Sequence, residues 1–139
     1  MPKALVTGAL GHTGTFMIDL LVKKGWDVVG TDLDGPKRKS IMCKETIFNG
    51  NFKNRSVDHP KVKFIAADLT DPKSLEPLFS LGNNNYDVIF HTASLYDYFA
   101  SYELLMNINV KGLSNLITVM KAAYENLEKY QRFIHWRMC

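Results

Sequence analysis

The chain has 139 residues, of which 46% are hydrophobic and 22% are charged, and its formal net charge is +3 at pH 7. These values are typical of one globular domain that is long enough to bury a core. The small net charge gives no reason to expect nucleic acid as a partner. No apolar run reaches the length of a membrane span, and we expect no signal peptide after Met1. Cys43 and Cys139 suggest no disulfide framework, so we expect a cytoplasmic protein.

Strand and helix patterns alternate along the chain. Short apolar runs predict strands at Lys3–Thr7, Asp27–Asp32, Val62–Ala66, Asp87–His91 and Arg132–Trp136. Apolar residues at helical spacing predict helices at His12–Lys24, 71–81 and Tyr102–Lys129. Gly25 is placed to end the first helix, and Pro72 suits the first turn of the second. Because strands that alternate with helices form parallel sheets, we expect a doubly wound α/β fold with strand order 3-2-1-4-5.

The segment 34–61 interrupts this alternation. It carries seven basic and three acidic residues and has no clean hydrophobic period. We expect a long polar connection with one helical turn near Lys39–Ile47. A loop of this length is uncommon inside a compact domain and needs an explanation. A mobile loop is the preferred interpretation, and a lid or an interaction segment are the alternatives.

The most informative motif is Thr7-Gly8-Ala9-Leu10-Gly11-His12-Thr13-Gly14, between the first strand and the first helix. A glycine turn in this context is typical of a dinucleotide site. Gly8 would allow the tight turn, Gly11 would let the backbone approach a pyrophosphate, and Gly14 would let the helix pack closely. The N–H groups at the helix amino terminus would bind the phosphates. We therefore expect cofactor contacts from Gly8, Leu10, Gly11, His12, Thr13 and Gly14.

Asp32 lies 18 residues after Gly14, at the end of the second predicted strand. A carboxylate there accepts hydrogen bonds from the adenosine ribose and repels a 2′-phosphate, which favours NAD over NADP. Asp32, with Leu33 beside it, could instead simply begin a turn, but the glycine motif favours the ribose role. The basic run Lys37–Lys39 opposes this preference, because such groups can bind a 2′-phosphate.

Polar residues also follow the third and fourth predicted strands. Asp68, with Leu69 beside it, can bind the adenine amino group, while Thr70 or Asp71 caps the next helix. The run His91-Thr92-Ala93-Ser94 ends the fourth strand, and its small residues would let the backbone pass close to a cofactor ribose. The histidine of that run is more often structural than catalytic.

Together these motifs resemble the amino-terminal part of extended short-chain dehydrogenases/reductases. The branch is that of NAD-dependent epimerases/dehydratases and 3β-hydroxysteroid dehydrogenase-like enzymes. A further matching motif is Asn109-Val110-Lys111-Gly112, followed by Leu113 where the family usually has Thr. The resemblance covers nearly the whole chain apart from 34–61. It implies a Rossmann-type fold truncated after the fifth strand, NAD as cofactor with NADP less favoured, and Asn109 as a further contact residue.

The same resemblance indicates that the family's catalytic residues are missing from this sequence. In this family a Ser or Thr after the fifth strand and a Tyr-x-x-x-Lys pair carry the proton transfer, the lysine lowering the pKa of the tyrosine. No tyrosine of this chain is followed four residues later by lysine, and Arg137 stands near the expected serine position. We therefore expect one incomplete NAD(P)-binding domain, 1–139, with no catalytic residue. A small-molecule substrate would then belong to a full-length relative.

Other expectations concern metals and partners. The histidines lack metal-binding spacing and no Gly-Lys-Ser/Thr phosphate loop is present, so we expect no metal site. The resemblance implies a homodimer through the helix at 102–129, whose apolar positions are retained. The alternative function is a non-catalytic nucleotide-sensing or protein-interaction module on the same fold, with its fifth strand as an exposed edge.

Overall fold

The computed structural model describes residues 2–34, 56–80, 86–95, 99–124 and 132–135. The strands are β1 (Lys3–Thr7), β2 (Asp27–Asp32), β3 (Val62–Ala66), β4 (Val88–His91) and β5 (Arg132–His135). The α-helices are α1 (His12–Lys23), α2 (Pro72–Leu75), α3 (Tyr102–Leu105) and α4 (Gly112–Tyr124). There are also 3-10 turns at Ser56–Asp58 and Glu76–Phe79 and a π-helical stretch at Met106–Lys111. Within these ranges, no helix has the length and apolar content that crossing a membrane requires.

The strands form one parallel sheet in the order β3-β2-β1-β4-β5, which confirms the predicted order. The register aligns the carboxyl ends of the central strands, since Thr7 pairs with both Thr31 and His91. Chain order reverses between β1 and β4. In a doubly wound sheet such a reversal opens a crevice at the carboxyl ends of the two strands.

Apolar clusters cover both faces of the sheet. Because successive strand residues point to opposite faces, Ala4 and Val6 face α1 while Leu5 faces α2 and α4. The first cluster contains Ala4, Val6, Ala9, Leu10, Ile18, Leu21, Val28 and Val57. The second contains Leu5, Val29, Leu75, Leu78, Phe79, Tyr86, Ile89 and Leu116. Burial on both faces explains why the strands read as continuous apolar runs in the sequence.

A glycine ends α1, as the sequence predicts. Gly25 has a φ of 83°, and its N–H donates to the Val22 carbonyl at 3.0 Å. The N–H of Trp26 donates to the Leu21 carbonyl, also at 3.0 Å. This pair of bonds is the Schellman motif, which satisfies carbonyl groups at a helix end.

The helix predicted over 71–81 is instead a short α-helix followed by a 3-10 turn. Asp71 is its N-cap, since its side chain accepts a hydrogen bond from the Lys73 N–H at 3.2 Å. Pro77 has no N–H to donate to the Lys73 carbonyl, so the α-helical bonding pattern cannot pass through it. The chain therefore tightens at Glu76–Phe79.

The structure adds detail to two other segments that the sequence predicts. The helix predicted as continuous from Tyr102 contains the π-helical stretch Met106–Lys111, and it is described as far as Tyr124. The polar connection predicted at 34–61 contributes Val57 to the core, where it is 3% exposed and contacts the Gly30 position. A single valine in a polar segment has no periodicity that would reveal its burial. The helical turn predicted near 39–47 lies outside the described residues, as does Trp136 at the end of the fifth predicted strand.

Candidate functional site

The glycine turn lies at the carboxyl end of β1, where the strand order reverses. Gly8 has a φ of 69°, and a Cβ there would lie 2.8 Å from both the Ala93 N and the Thr92 Oγ1. At Gly14 a Cβ would lie 2.0 Å from the Gly8 carbonyl oxygen. The first glycine therefore lets the turn pack on the end of β4, and the last lets α1 pack on the turn.

A Cβ at Gly11 would meet less of the fold than a Cβ at either of the other two glycines. Among the described residues, the one heavy atom within 4 Å of its ideal Cβ position is the Gly8 carbonyl oxygen, at 3.3 Å. Gly11 is the N-cap of α1, with an extended φ of −82°. Among the residues that the structure describes, no side chain caps this helix, and its first turn contains no acidic residue. A helix amino terminus of this kind is positively polarised and suited to an anion.

His12 and Thr13 are the first two residues of α1. The His12 ring packs edge-on against Phe16, with 5.1 Å between the ring centroids. The imidazole therefore lies along the exposed side of the helix, and the backbone of the first turn borders the glycine turn.

Asp32 ends β2, and two backbone N–H groups hold its carboxylate. Oδ2 accepts a hydrogen bond from the Leu10 N–H at 2.9 Å, and Oδ1 accepts one from the Leu33 N–H at 2.7 Å. The bond to Leu10 ties β2 to the glycine turn. A carboxylate offers about four acceptor sites, more than two N–H bonds occupy. The chain thus places a negative charge beside the turn in a fixed orientation.

Thr7 connects β1 to the end of β4. Its Oγ1 lies 2.8 Å from the His91 Nδ1 and accepts a hydrogen bond from the Ala93 N–H at 3.2 Å. The Thr92 hydroxyl donates to the Thr7 carbonyl at 2.6 Å. The direction of the bond between the Thr7 Oγ1 and the His91 Nδ1 depends on the histidine tautomer, because a hydroxyl oxygen can accept a second hydrogen bond beside the one from Ala93.

His91 is 1% exposed, so its ring lies inside the sheet layer and not at the surface of the crevice. This burial agrees with the structural role expected for it from the sequence. His91 would therefore influence a ligand only by positioning Thr7 and, through it, the backbone of Ala93. Ser94, the last residue of the run, is exposed at the carboxyl edge.

Asn109 lies in the π-helical stretch and holds the loop after β4 with both ends of its carboxamide. Oδ1 accepts a hydrogen bond from the Leu95 N–H at 2.7 Å, and Nδ2 donates to the Leu95 carbonyl at 2.9 Å. Because both groups bind Leu95, the side chain supports the loop that carries Thr92 and Ala93.

Asp68 shapes the loop that follows β3. Its Oδ1 accepts hydrogen bonds from the Thr70 N–H at 2.9 Å and from the Thr70 hydroxyl at 2.7 Å. Leu69 packs against Gly112, where a Cβ would lie 2.9 Å from the Leu69 Cβ. The Leu69 carbonyl also accepts a hydrogen bond from the Asn115 Nδ2 at 2.8 Å. The loop is thereby fixed between β3 and α4.

The structure brings the predicted site residues to one edge of the sheet, since they follow β1, β2, β3 and β4. Asn109 stands behind that edge, and His91 lies below it. Sequence reasoning missed the bridging role of Thr7, the support from Leu95 and the bond between Asp32 and Leu10. No local pattern reveals them, because these bonds join residues 14 to 86 positions apart.

The comparisons with known proteins agree with this geometry. Residues 5–136 match the family model described as GDP-mannose 4,6 dehydratase. The chain belongs to this family. The predicted resemblance to NAD-dependent epimerases/dehydratases is thereby confirmed.

Two curated relatives of this dehydratase-family chain are 30% identical to it. One is the human protein named inactive L-threonine 3-dehydrogenase, mitochondrial, aligned over 133 residues that make up 93% of this chain and 48% of that protein. The other is vestitone reductase from Medicago sativa, aligned over 133 residues, 96% of this chain and 37% of that enzyme. The chain spans between 22% and 48% of the length of the curated relatives it matches.

The fold itself is shared with solved structures. The structure of Bordetella bronchiseptica WbmH in complex with NAD+ superposes with a TM-score of 0.65 at 24% identity. The superposition covers 88% of this chain and 36% of WbmH. At that identity the likeness shows the Rossmann-type fold that the dehydratase family shares.

Proposed function

We propose that this chain binds NAD at the carboxyl edge of its sheet. The observation that carries the proposal is the amino terminus of α1, which no side chain of the described residues caps. It begins at Gly11, the glycine of the motif where a Cβ would be least crowded. A pyrophosphate group there would meet the polarised N–H groups of the first turn and the backbone of Gly11. The NAD+ complex of WbmH, a protein of the same fold, supports this choice of ligand.

Asp32 would bind the adenosine ribose, with Leu33 beside it. Its carboxylate is held beside the glycine turn by the Leu10 N–H, and a 2′-phosphate would be repelled by its charge. NAD is therefore preferred, and NADP is the less favoured ligand. Asp68 and Leu69, at the end of the next strand, would border the adenine.

Thr92, Ala93 and Ser94 would border the ribose on the nicotinamide side of the cofactor. They follow β4, and Gly8 contacts the first two of them. Bound NAD supplies a hydride acceptor. The described residues of this chain would hold the cofactor and orient it through the Thr7 and Asn109 hydrogen bonds.

No tyrosine of the 139 residues is followed four residues later by lysine, the pair expected to carry proton transfer in this family. The chain alone is accordingly expected to bind dinucleotide without turning over substrate. A small-molecule substrate would belong to a full-length relative. The second candidate is a nucleotide-sensing or interaction module, which is favoured by the word "inactive" in the name of the human relative.

Calorimetric titration with NAD and with NADP tests the proposal, with Gly11→Ala as the matched variant. Gly11 has an extended φ, and its Cβ position lies 3.3 Å from the Gly8 carbonyl oxygen, so alanine there requires only a small shift of that oxygen. The substitution should therefore leave the fold intact while its Cβ occupies space needed by the pyrophosphate. The expected result is saturable NAD binding that weakens at least about tenfold in the variant, a loss of about 1.4 kcal/mol. Equal binding by both proteins, or no binding by a folded wild-type chain, would overturn the proposal.

A further inference from the structure

A polar hollow of about 330 Å³ lies on the α4 side of the loop that follows β3. Its lining side chains are Thr70, Asn107, Lys111, Ser114 and Asn115. Four are uncharged and polar, one is a cation, and no carboxylate is among them. The hollow therefore presents hydrogen-bonding groups and a positive charge to solvent.

The walls of this hollow are held in place by contacts already present in the fold. The Asn115 Nδ2 donates to the Leu69 carbonyl at 2.8 Å, and the Leu69 side chain lies against Gly112. On the other wall, both the N–H and the hydroxyl of Thr70 donate to the Asp68 Oδ1. The hollow is thus formed before any ligand arrives, which lowers the entropic cost of binding.

Thr70 and Asn115 donate hydrogen bonds within the fold, whereas the other three lining side chains make none in the part of the chain that the structure describes. Within those ranges, neither a side-chain hydrogen bond nor an ion pair engages Asn107, Lys111 or Ser114. Asn107 and Lys111 are four residues apart and Ser114 follows three residues later, a spacing that brings side chains to one side of a helix. One ammonium, an amide and a hydroxyl therefore converge without a protein acceptor between them.

We infer that this hollow binds a phosphate group, with the Lys111 ammonium as the charged contact. Lysine binds phosphate as a point charge, and amide and hydroxyl donors complete the coordination of its oxygens. The hollow has room for a small organic group beyond the phosphate, since small-molecule pockets begin at about 300 Å³. The phosphate can therefore be the free ion or part of a small phosphomonoester. This site is separate from the proposed pyrophosphate contact at α1.

Titration followed by the backbone amide signals of the 15N-labelled chain tests the inference. Inorganic phosphate and ribose 5-phosphate are added in separate experiments at constant ionic strength, because surface electrostatics are screened by salt. The expected result is a saturable shift of the Thr70, Asn107 and Ser114 signals. Tighter binding of ribose 5-phosphate would identify a phosphomonoester as the ligand, and equal binding would identify the free ion.

Lys111→Gln and Lys121→Gln form the matched pair of variants. Both lysines are exposed and lie on the same helical segment, but Lys121 is outside the hollow. Lys111→Gln should weaken phosphate binding by about tenfold, as expected for loss of a charged hydrogen bond, while Lys121→Gln should bind like the wild type. The absence of a saturable shift, or an equal loss in both variants, would overturn the inference. Neither result depends on NAD binding, since no dinucleotide is present in the titration.

Discussion

At the scale of single residues, Asn109 is the side chain whose loss should be felt most outside the apolar core. It uses an acceptor and a donor on the backbone of Leu95, and no other residue type supplies both groups with that geometry. Asn109→Ala would leave a backbone N–H and a carbonyl without these partners. We expect the free energy of unfolding to fall by about 1–3 kcal/mol.

Urea denaturation of Asn109→Ala measures this loss. Asn107→Ala is the control, because Asn107 lies in the same π-helical stretch, is exposed and makes no side-chain hydrogen bond to the described residues. The control should change stability by less than about 0.5 kcal/mol. Similar losses of stability in the two variants would show that the effect comes from any substitution in the π-helical stretch and not from the hydrogen bonds to Leu95.

At Thr31, by contrast, removal of the polar group should stabilise the protein. Thr31 is 3% exposed, and its hydroxyl has no hydrogen-bond partner among the residues that the structure describes. Valine has the same shape without the buried polar group, so Thr31→Val should stabilise the protein by about 1 kcal/mol. Thr7→Val, one strand away, should instead destabilise it, because the Thr7 hydroxyl bonds His91 and Ala93. Thermal unfolding that shows Thr31→Val to be the less stable protein would mean that the hydroxyl is satisfied by bound water.

At the scale of elements, the close fit between α1 and the glycine turn depends on Gly14. A Cβ there would lie 2.0 Å from a backbone oxygen, which cannot move aside without displacing the turn. Gly14→Ala should therefore lower the free energy of unfolding by about 3 kcal/mol, whereas Gly11→Ala should lower it by less than about 1 kcal/mol. Chemical denaturation of both variants checks this. An equal loss of unfolding free energy in the two variants would contradict this assignment, in which Gly14 serves packing and Gly11 faces the ligand.

Strands β1, β2 and β3 could be predicted to the residue because a short apolar run marks each of them. The π-helical stretch could not be predicted in the same way. Its sequence, Met106–Lys111, has the same apolar spacing as an ordinary helix, and the stretch contains the Asn109 side chain that bonds to Leu95, 14 residues earlier. Local pattern thus identifies elements, while long-range contacts decide the details of their winding.

At the scale of the whole molecule, strand order explains why the candidate site could be located from sequence. The alternation of elements fixes which strand ends are neighbours, so the glycine turn, Asp32 and the residues after β4 had to lie on one edge. The hydrogen bonds that connect them could not be predicted, because Thr7 and His91 are 84 residues apart and either could bond elsewhere. The burial of Val57 was missed for the same reason, since its neighbours belong to α1 and β2.

Self-association of two copies is expected to use the long helical segment that begins at α3. The helical segment that begins at α3 exposes Tyr102 and Val110, which are 75% and 51% exposed, on the element proposed to form a homodimer. A charge placed in an apolar interface between two copies would be buried without a partner, so Val110→Glu should produce a monomer. Leu20→Glu is the control, because Leu20 is 49% exposed on α1 and lies outside that segment. Light scattering after gel filtration should show a dimer for the wild type and for Leu20→Glu and a monomer for Val110→Glu. A wild-type chain that is monomeric at high concentration, or a dimer that persists in Val110→Glu, would show that this segment does not form the interface.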